Sequence, residues 1–271
     1  MTAINNVLVV YANPKNNVEK STLELVKRIL KKYKINYKTE HRSKLSKKLF
    51  RNKDLVIAVG GDGTFLRASH FIFDKTPVLG VNSDPVYKEG FFMAAVKKDF
   101  EIKFKKILSG NYTIKKLQRL EAYINNRKVP ELALNEFYIA SEKPYHTAVY
   151  FLSVIGKRER QKSSGVLVST AAGSNAWIKS AGGKILPLYS NKFEYLIREP
   201  YYGRTCAKCD LFKGVLNKDK KIEIVFEVGN GILIADSMSK EHKFKTKKKV
   251  MVKMSKKPLY CISFNDSPYK I

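Results

Sequence analysis

Long hydrophobic runs are absent from this sequence, since no apolar stretch approaches the roughly 20 residues that a membrane-spanning helix needs. Residues 1–6 carry neither the hydrophobic region of a signal peptide nor the Arg- and Ser-rich character of a transit peptide. We therefore expect no membrane partner, and a cytoplasmic location is the default. Hydrophobic residues make up 44% of the chain, which excludes a disordered protein.

Cysteine is also scarce, with three residues in a chain of 271. Cys206 and Cys209 form one C-x-x-C pair, while Cys261 is distant in sequence. A structural zinc site needs about four ligands, and neither a second cysteine pair nor a suitable histidine spacing completes one. We expect ordinary thiols in a reducing compartment. A redox pair stays open, because this spacing is the one found in thioredoxin-like proteins.

Acidic residues are few: 24 Asp and Glu stand against 52 Lys and Arg, which gives a formal net charge of +28. Such an excess indicates either nucleic-acid binding or a lysine-rich surface around a site for a small polyanionic molecule. The basic residues are spread along the whole chain, and no nucleic-acid-binding module accompanies them. We favour the second interpretation and expect no specific nucleic-acid partner.

Strands and helices are predicted to alternate in the first 110 residues. Short apolar runs predict buried strands, and apolar residues at helical spacing predict amphipathic helices between them. This alternation implies a parallel sheet with right-handed crossovers. The predicted strands are 7–11, 35–40, 55–59 and 77–81, and the predicted helices are 19–33 and 99–108.

From residue 112 onward the pattern changes to short β-rich runs separated by tight turns, which predicts an antiparallel β domain. The tripeptide Gly-Asn-Gly at 229–231 predicts a hairpin between strands 222–228 and 232–235, because Asn-Gly is a strong signal for a tight β-turn. We place the domain boundary near Gly110.

One loop in the first half carries a candidate site. Strand 55–59 runs into Gly-Gly-Asp-Gly-Thr at 60–64, where Thr64 is predicted to cap the following helix. Glycines and the free N–H groups at a helix start suit a phosphate. An acid there repels phosphate, so we expect Asp62 to bind a cation or to accept a proton from an attacking hydroxyl. The alternative is a tight turn in which Asp62 is a capping residue.

A second loop of this kind lies in the β-rich half. Strand 166–169 leads into small polar residues at 170–174 and a predicted short helix at 175–181, which predicts a second anion or nucleotide site. Ile178 stands where a P-loop requires its second glycine, so we reject a Walker-type phosphate loop.

The adjacent residues Asn135 and Glu136 interrupt an otherwise apolar strand. Two polar side chains in such surroundings need hydrogen-bond partners if they are buried. The pair therefore indicates either a third part of a binding site or a strand end with Asn135 in a turn.

Three motifs in this order resemble the NAD kinase family. The first motif alone is shared with diacylglycerol and sphingosine kinases and, loosely, with phosphofructokinases, whereas the other two narrow the resemblance to NAD kinases. The resemblance covers nearly the whole chain, from about Leu8 onward. The motifs are Gly60-Gly-Asp-Gly-Thr64, Asn135-Glu136, and Thr170-Ala-Ala-Gly-Ser-Asn-Ala-Trp177 followed by Ser180-Ala-Gly-Gly183.

The resemblance implies a fold and a reaction. The fold is a Rossmann-like N-terminal α/β domain at 1–110, to which about 256–271 return, and a C-terminal antiparallel, β-sandwich-like NAD-binding domain at 111–255. The reaction transfers a phosphoryl group from ATP with Mg²⁺, or from another phosphoryl donor, to the adenosine-ribose 2′-hydroxyl of NAD(H), giving NADP(H). The family forms dimers and tetramers, so a homo-oligomer is implied as well.

The resemblance also implies which residues act. It gives Asp62 as the catalytic acid, and it gives no residue as a metal ligand. The residues that it implies for binding the nucleotides are Gly61, Gly63, Thr64, Arg67, Asn135, Glu136, Lys162, Ser164, Thr170, Ala172, Ser174, Asn175, Ala176, Trp177, Ser180 and Asp236.

Three positions depart from the family pattern: Ser164 replaces a carboxylate, Ala171 a proline and Trp177 a tyrosine. A carboxylate at position 164 favours the cationic nicotinamide of NAD over neutral NADH, so we expect Ser164 to flatten that preference. The sequence is closer to the mitochondrial-type branch of animals than to the common bacterial branch in three segments, 80–85, 162–165 and 197–200.

Two other functions stay open at this point. A lipid or sugar kinase that shares the Gly-Gly-Asp-Gly loop would act on a non-nucleotide alcohol, and it would leave residues 175–180 without a role. A non-catalytic nucleotide- or polyanion-binding protein would bind polyanions with a steep salt dependence and without turnover.

Overall fold

A computed structural model provides the structure of the chain. Cys206 and Cys209 lie outside the residues that it describes, so their predicted state stays a prediction, while Cys261 is buried. In the described part of the chain, no helix is both long enough and apolar enough to cross a membrane. The described residues are 4–143, 145–203, 210–238 and 240–265.

The chain divides into two compact units, the first of which runs to Lys116 and resumes at Leu259. A short 3₁₀ turn, Lys47–Phe50, precedes its third strand. The elements of this unit are β1 (Asn6–Tyr11), α1 (Asn17–Lys32), β2 (Asn36–His41), β3 (Leu55–Gly60), α2 (Asp62–Ser69), β4 (Val78–Asn82), β5 (Ala95–Val96), α3 (Phe100–Leu108), β6 (Thr113–Leu117) and the returning β19 (Leu259–Ser263).

The strands of the first unit form one sheet in the order β2-β1-β3-β4-β19-β6, and β5 pairs with β4. The pairs β1–β2, β1–β3 and β3–β4 are parallel, as the alternation of strands and helices predicts, and β19 pairs with β4 in parallel as well. Helix α1 begins after Asn16, whose side chain accepts the N–H of Glu19 at 2.9 Å. It buries Leu23, Val26 and Leu30 in the core of this unit.

The glycine loop lies where β3 ends and α2 begins. Gly61 is the N-cap and Asp62 is the first helical residue, so the prediction that Thr64 caps the helix is wrong. Gly61 has the extended backbone that an N-cap requires, and the helix therefore starts earlier. Thr64 lies in the first turn, where its N–H donates to the Gly61 carbonyl at 2.8 Å.

The second unit, Leu117–Pro258, is the predicted antiparallel β domain. Besides its strands, it contains a 3₁₀ turn, Gly173–Asn175. Its other elements are β7 (Leu120–Ile124), β8 (Arg127–Ala133), β9 (Glu136–Ser141), β10 (Ala148–Val154), β11 (Lys157–Ser163), β12 (Gly165–Thr170), α4 (Trp177–Ser180), β13 (Lys192–Arg198), β14 (Lys213–Asn217), β15 (Lys221–Val228), β16 (Gly231–Ala235), β17 (His242–Phe244) and β18 (Lys249–Met254).

Two antiparallel sheets share the core of the second unit. Within the described residues their orders are β11-β10-β15-β18-β7-β8 and β14-β13-β12-β9-β16-β17. Tyr150 and Ile224 of the first sheet lie in one buried cluster with Phe137, Val168 and Leu233 of the second. Every second residue of β10 is buried, which is the alternation expected of a strand with one face in the core. This arrangement is a β-sandwich.

The predicted hairpin at 229–231 is wrong. β15 pairs with β10 and β18 in one sheet, whereas β16 pairs with β9 and β17 in the other. The chain therefore crosses between the two sheets at Gly229, which has a φ of 74°. Phe226 before the crossing and Leu233 after it are both buried in the shared core, and the Asn-Gly signal contains no information on that burial.

Candidate active site

The carboxylate of Asp62 is held by main-chain N–H groups. Phe92 donates its N–H to Asp62 Oδ1 at 2.8 Å, and Phe91 donates to Oδ2 at 3.1 Å. Asp62 itself is partly buried. Each oxygen accepts one N–H and keeps a second lone pair, so the carboxylate has a fixed orientation and can still accept a further hydrogen bond.

A cleft of about 530 Å³ opens beside this carboxylate. The loop residues Gly61, Gly63 and Thr64, which are predicted to contact a nucleotide, line this cleft. Arg67, which was also predicted to contact a nucleotide, lies partly buried on α2 and does not line this cleft. The other lining residues are Ala12, Asn13, Lys15, Glu19, His41, Arg42, Asp62, Lys88 and Glu89.

Three basic residues that line this cleft were not identified from the sequence. Lys15 follows β1, Arg42 follows β2 and Lys88 follows β4, while the glycine loop follows β3. All four strands are parallel neighbours, so these segments meet at the carboxyl edge of one sheet, where ligands of such folds bind. Glycine N–H groups and three basic side chains at one edge suit a phosphorylated ligand.

Asp236 organises the turn that contains Asn135 and Glu136. Its Oδ1 accepts the N–H of Asn135 at 2.7 Å and of Glu136 at 3.1 Å, and its Oδ2 accepts the N–H of Leu134 at 2.9 Å. Asp236 was expected to offer its side chain to the dinucleotide. These three bonds fix the main chain of the neighbouring pair, and the contact of Asp236 with a dinucleotide stays a prediction.

The loop 170–174 packs directly on Asn135. The Asn135 carbonyl accepts the N–H of Thr170 at 2.8 Å and the hydroxyl of Ser169 at 3.1 Å. Thr170 Oγ1 in turn accepts the N–H of Gly173 at 3.0 Å. Ser174 Oγ accepts the Leu186 N–H at 2.9 Å, so this hydroxyl fastens the loop to the following segment. Two motifs that are distant in sequence therefore form one site.

Two buried acceptor atoms in this site have no hydrogen-bond partner within the described part of the chain. They are Asn135 Oδ1 and Glu136 Oε2. Buried polar atoms in folded proteins are nearly always paired, so an orphaned pair beside a loop of small residues indicates a place for a ligand. Sugar hydroxyl groups, which both donate and accept, satisfy such atoms.

Glu136 has an unusual protonation state. Burial, and secondarily the neighbouring carboxylate of Asp236, raise its pKa to about 8. Glu136 therefore carries a proton at neutral pH. In that form it can donate one hydrogen bond and accept others.

This pKa predicts how stability depends on pH. At pH values between 4.5, which is the ordinary pKa of this carboxyl group, and about 8, the folded protein holds a proton on Glu136 that the unfolded chain has lost. The free energy of unfolding should therefore fall as pH rises through this range, by on the order of 2–4 kcal/mol. We expect Glu136→Gln to remove that slope. Urea unfolding of both proteins at several pH values measures it, and parallel pH courses would contradict the assignment.

Trp177 packs against neighbouring side chains of the second unit. Its ring centroid lies 4.8 Å from that of Tyr138, and the Arg198 guanidinium carbon lies 4.9 Å from the Trp177 ring. Beneath it is a small buried cluster that includes Leu167 and Ile178. These contacts support the interpretation that a lone tryptophan here packs against its own helix and strands.

The helix predicted at 175–181 is shorter than expected. The 3₁₀ turn Gly173–Asn175 comes first, Ala176 follows, and α4 has four residues ending at the exposed Ser180. A single helical turn aligns few peptide dipoles, so the argument for an anion site at this helix start does not hold. The buried Ala172 before the 3₁₀ turn belongs to the packed part of the loop.

A carboxylate stands beside Ser164 after all. Ser164 Oγ donates to Glu199 Oε2 at 2.5 Å, and the Ser164 carbonyl accepts the hydroxyl of Tyr138 at 2.7 Å. The hydrogen bond from Ser164 and then the charge of Arg198 lower the pKa of Glu199, so this carboxylate is ionised at neutral pH. Glu199 directly follows β13 and has a φ of 46°. Because it is distant from Ser164 in the chain, a comparison of sequences at position 164 does not reveal this carboxylate.

Lys162, the remaining predicted contact, lies at the same end of the β domain. Its Nζ is 4.3 Å from the ring centroid of Tyr201, and its carbonyl accepts the Tyr201 N–H at 2.8 Å. The predicted residues of the second unit therefore form two neighbouring groups. One surrounds Asn135 and Glu136, and the other surrounds Ser164 and Trp177.

Comparison with known proteins places these observations in a family. The profile of the ATP-NAD kinase N-terminal domain matches residues 2–112, and that of the ATP-NAD kinase C-terminal domain matches residues 114–264. A probable NADH kinase of Oryza sativa subsp. japonica is 32% identical over 253 residues, which are 86% of this chain and 77% of the relative.

Two solved structures share the fold. One is an NAD kinase from Archaeoglobus fulgidus in complex with ATP, with a TM-score of 0.76 and 24% identity, covering 96% of this chain and 94% of its own. The other is yeast NADH kinase complexed with NADH, with a TM-score of 0.82 and 16% identity, covering 98% of this chain and 85% of its own.

Proposed function

The chain belongs to the ATP-NAD kinase family, and on this premise we propose how its residues act. It is an NAD kinase, which transfers a phosphoryl group to the adenosine-ribose 2′-hydroxyl of NAD(H) and produces NADP(H). We propose that Asp62 orients this hydroxyl and accepts its proton. The observation that carries the proposal is a carboxylate fixed by two main-chain N–H groups at the wall of a cleft lined with cations.

The donor is proposed to place its phosphates in the cleft of the first unit. The glycine N–H groups and the basic side chains of Lys15, Arg42 and Lys88 supply positive charge there. ATP is the donor we propose, and it is the ligand of the Archaeoglobus relative. Among the described residues, no group of three or more His, Cys, Asp and Glu side chains is placed to hold a metal ion. We propose that Mg²⁺ arrives as part of the Mg–ATP substrate, where it would offset the negative charge of the donor phosphates.

The chemical step asks mainly for positioning and charge stabilisation. The 2′-hydroxyl oxygen attacks the terminal phosphorus of the donor, the bond from that phosphorus to the leaving ADP oxygen breaks, and the hydroxyl proton passes to the Asp62 carboxylate. The two bonds from Phe91 and Phe92 keep the carboxylate in one orientation throughout. Positive charge in the cleft stabilises the transferred group.

The dinucleotide is proposed to bind at Asn135 and Glu136. Their unpartnered oxygens would accept hydrogen bonds from ribose hydroxyl groups, and the proton on Glu136 would donate one. Asp236 and the loop 170–174 hold these two residues in place through hydrogen bonds to their main chain.

Glu199 is proposed to set the preference between NAD and NADH. The sequence alone predicts a flat preference, because Ser164 has no charge, but the Glu199 carboxylate stands at that position. An ionised carboxylate favours the cationic nicotinamide ring. We expect Glu199→Gln to lower the NAD/NADH activity ratio by about two- to fivefold, the scale of a solvent-screened charge.

A matched control for Glu199→Gln is Asp219→Asn. Asp219 is an exposed acid of the same unit that pairs with Lys220 at 2.8 Å, and it lines a pocket with Lys157 at the start of β11, whereas Ser164 follows the end of that strand. The NAD/NADH activity ratio of this control should equal that of the wild type. If Glu199→Gln also has the wild-type ratio, Glu199 takes no part in substrate selection.

The other functions considered from the sequence lose support. A lipid or sugar kinase would leave residues 135–180 unexplained, whereas the C-terminal domain of the family matches that whole region.

We further propose a homo-oligomer, a dimer or a tetramer, in the cytoplasm. Light scattering after gel filtration tests the first, and fractionation of cells tests the second.

The experiment that tests the function is a coupled assay. The purified protein is incubated with NAD, Mg²⁺ and ATP, and NADP is measured with an NADP-specific dehydrogenase. We expect NADP that depends on all three additions. A protein that phosphorylates a lipid or a sugar but not NAD would contradict the proposal.

A further inference from the structure

Residues 82–92, which we call the β4 strap, connect the end of β4 to Asp62. Asn82 fixes the shape of the strap from within, because its Nδ2 donates to the Lys88 carbonyl at 3.0 Å and its Oδ1 accepts the Asp84 N–H at 3.1 Å. The strap ends at the two N–H groups that bind the Asp62 carboxylate. A single segment therefore carries both Lys88 and the support of Asp62.

The side chain of Lys88 lies against the glycine loop. A Cβ added to Gly61 would be 3.1 Å from Lys88 Cδ, so the aliphatic stem contacts the loop at the N-cap of α2. The ammonium group is 2.8 Å from Glu19 Oε1 and 2.7 Å from Ser83 Oγ. These contacts hold the positive charge at the wall of the cleft that contains Asp62.

Glu19 is a rigid support for this lysine. Its side chain is 7% exposed, compared with 23% for Lys88. Its N–H donates to Asn16 at the start of α1, and its Oε2 accepts the N–H of Lys15 at 3.3 Å. A lysine held in this way loses little further rotamer freedom when it binds a ligand.

One N–H of Lys88 remains for a ligand. An ammonium group has three donors, and the contacts with Glu19 and Ser83 use two of them among the described residues. Lys15, by comparison, is exposed, and its main chain, not its ammonium group, makes the bond to Glu19. Of Lys15 and Lys88, Lys88 is therefore the one whose ammonium group is held in place beside the glycine loop.

We propose that Lys88 binds the phosphoryl group that the donor transfers, and that Glu19 is its positioning residue. This inference rests on the proposed function of the cleft. Negative charge spreads over the oxygens of the transferred group in the transition state, and a fixed ammonium group stabilises it there. No local sequence pattern indicates this role, because Lys88 is one lysine among many and its partner Glu19 is distant in the chain.

The test replaces Lys88 and measures each substrate separately. We expect Lys88→Met to lower kcat/KM for ATP by about 10- to 100-fold, while the KM for NAD stays within about twofold. Lys88→Arg should recover part of the loss, because it restores the charge. Glu19→Gln should lower kcat/KM for ATP by about 3- to 10-fold, again without a change for NAD.

The matched control is Lys103→Met. Lys103 is a buried lysine of the first unit, paired with Asp99 at 2.7 Å, and it does not line the cleft. It should lower the melting temperature and leave the KM for ATP unchanged. If Lys88→Met lowers the melting temperature in the same way without changing kcat/KM for ATP, Lys88 is a structural residue and the inference is overturned.

Lys88→Gln decides the matter if Lys88→Met fails to fold. Glutamine keeps an N–H donor for Glu19 and Ser83 but carries no charge, and a wild-type kcat/KM for ATP in this variant would overturn the inference. Failure of the wild type to make NADP is a different result, since it would refute the function of the site and not the role of one lysine.

Discussion

Gly173→Ala is expected to lose about 3 kcal/mol or more of folding stability and most of its affinity for NAD. A Cβ on Gly173 would lie 2.2 Å from the Asn135 carbonyl oxygen and 2.5 Å from the Asn135 carbonyl carbon. These are main-chain atoms, which cannot rotate away as a flexible side chain can. The overlap must therefore separate the two loops.

Separation of the loops removes the site as well as the packing. The bonds from Thr170 and Ser169 to the Asn135 carbonyl join these loops at 2.8 and 3.1 Å. Movement of Asn135 also displaces its unpartnered Oδ1, which we propose to bind the dinucleotide. We expect the dissociation constant for NAD to rise at least about tenfold, equivalent to about 1.4 kcal/mol.

Urea unfolding and NAD titration of the same variant measure both effects. Gly156→Ala is the control: Gly156 has a φ of 75°, and an added Cβ would meet nothing within 4 Å. It should cost about 1–2 kcal/mol through backbone strain alone and leave NAD affinity unchanged. Wild-type stability and affinity in Gly173→Ala would show that the two loops are not joined in this way.

Contiguous residues made the glycine loop predictable from the sequence. A buried strand, three glycines around one acid and a helix start follow one another within 55–69, and each predicts its own local structure. The cap was misplaced from Gly61 to Thr64, because a glycine and a threonine both fit an N-cap and only the backbone conformation distinguishes them.

Residues brought together by sheet order were not predictable in the same way. Lys15, Arg42 and Lys88 each follow a different strand, and they line one cleft because β2, β1, β3 and β4 are neighbours in that order. In a chain with 52 basic residues, no local pattern separates these three from the rest.

The carboxylates of Asp236 and Glu199 show that matching a residue to a position of the family pattern does not by itself establish its role. Asp236 matches an acidic position of the family, yet its oxygens bind three main-chain N–H groups, because the turn after β16 lies beside the turn before β9. Glu199 has no matching position, yet its left-handed backbone brings it to Ser164. Both roles depend on which turns are neighbours in the folded β-sandwich.

Asp62→Asn is expected to lower turnover by about 10² or more, the scale of a general base. Asparagine keeps the size and one acceptor oxygen, but it loses the charge and cannot take the proton of the 2′-hydroxyl. It can accept only one of the two N–H groups from Phe91 and Phe92, so a loss of about 1–3 kcal/mol in stability is expected too. NAD affinity should persist, because Asn135 and Glu136 are unchanged.

If Asp62 has only a structural role, a different result is expected. The Asp62→Asn variant is then less stable, but its folded fraction turns over NAD at the wild-type rate. Asp99→Asn provides the comparison, since Asp99 Oδ1 also accepts a main-chain N–H, that of Val96 at 2.8 Å, and Asp99 does not line the cleft. It should lose stability and keep its turnover.

The role of Asp62 is tested most directly by the single-turnover rate of NADP formation. Wild-type enzyme and Asp62→Asn are each mixed, in excess over NAD, with saturating Mg–ATP at a temperature where both are folded. We predict a rate at least about 10² slower in the variant, with NAD affinity within a few-fold of the wild type. A rate in Asp62→Asn within a few-fold of the wild-type rate would contradict the account.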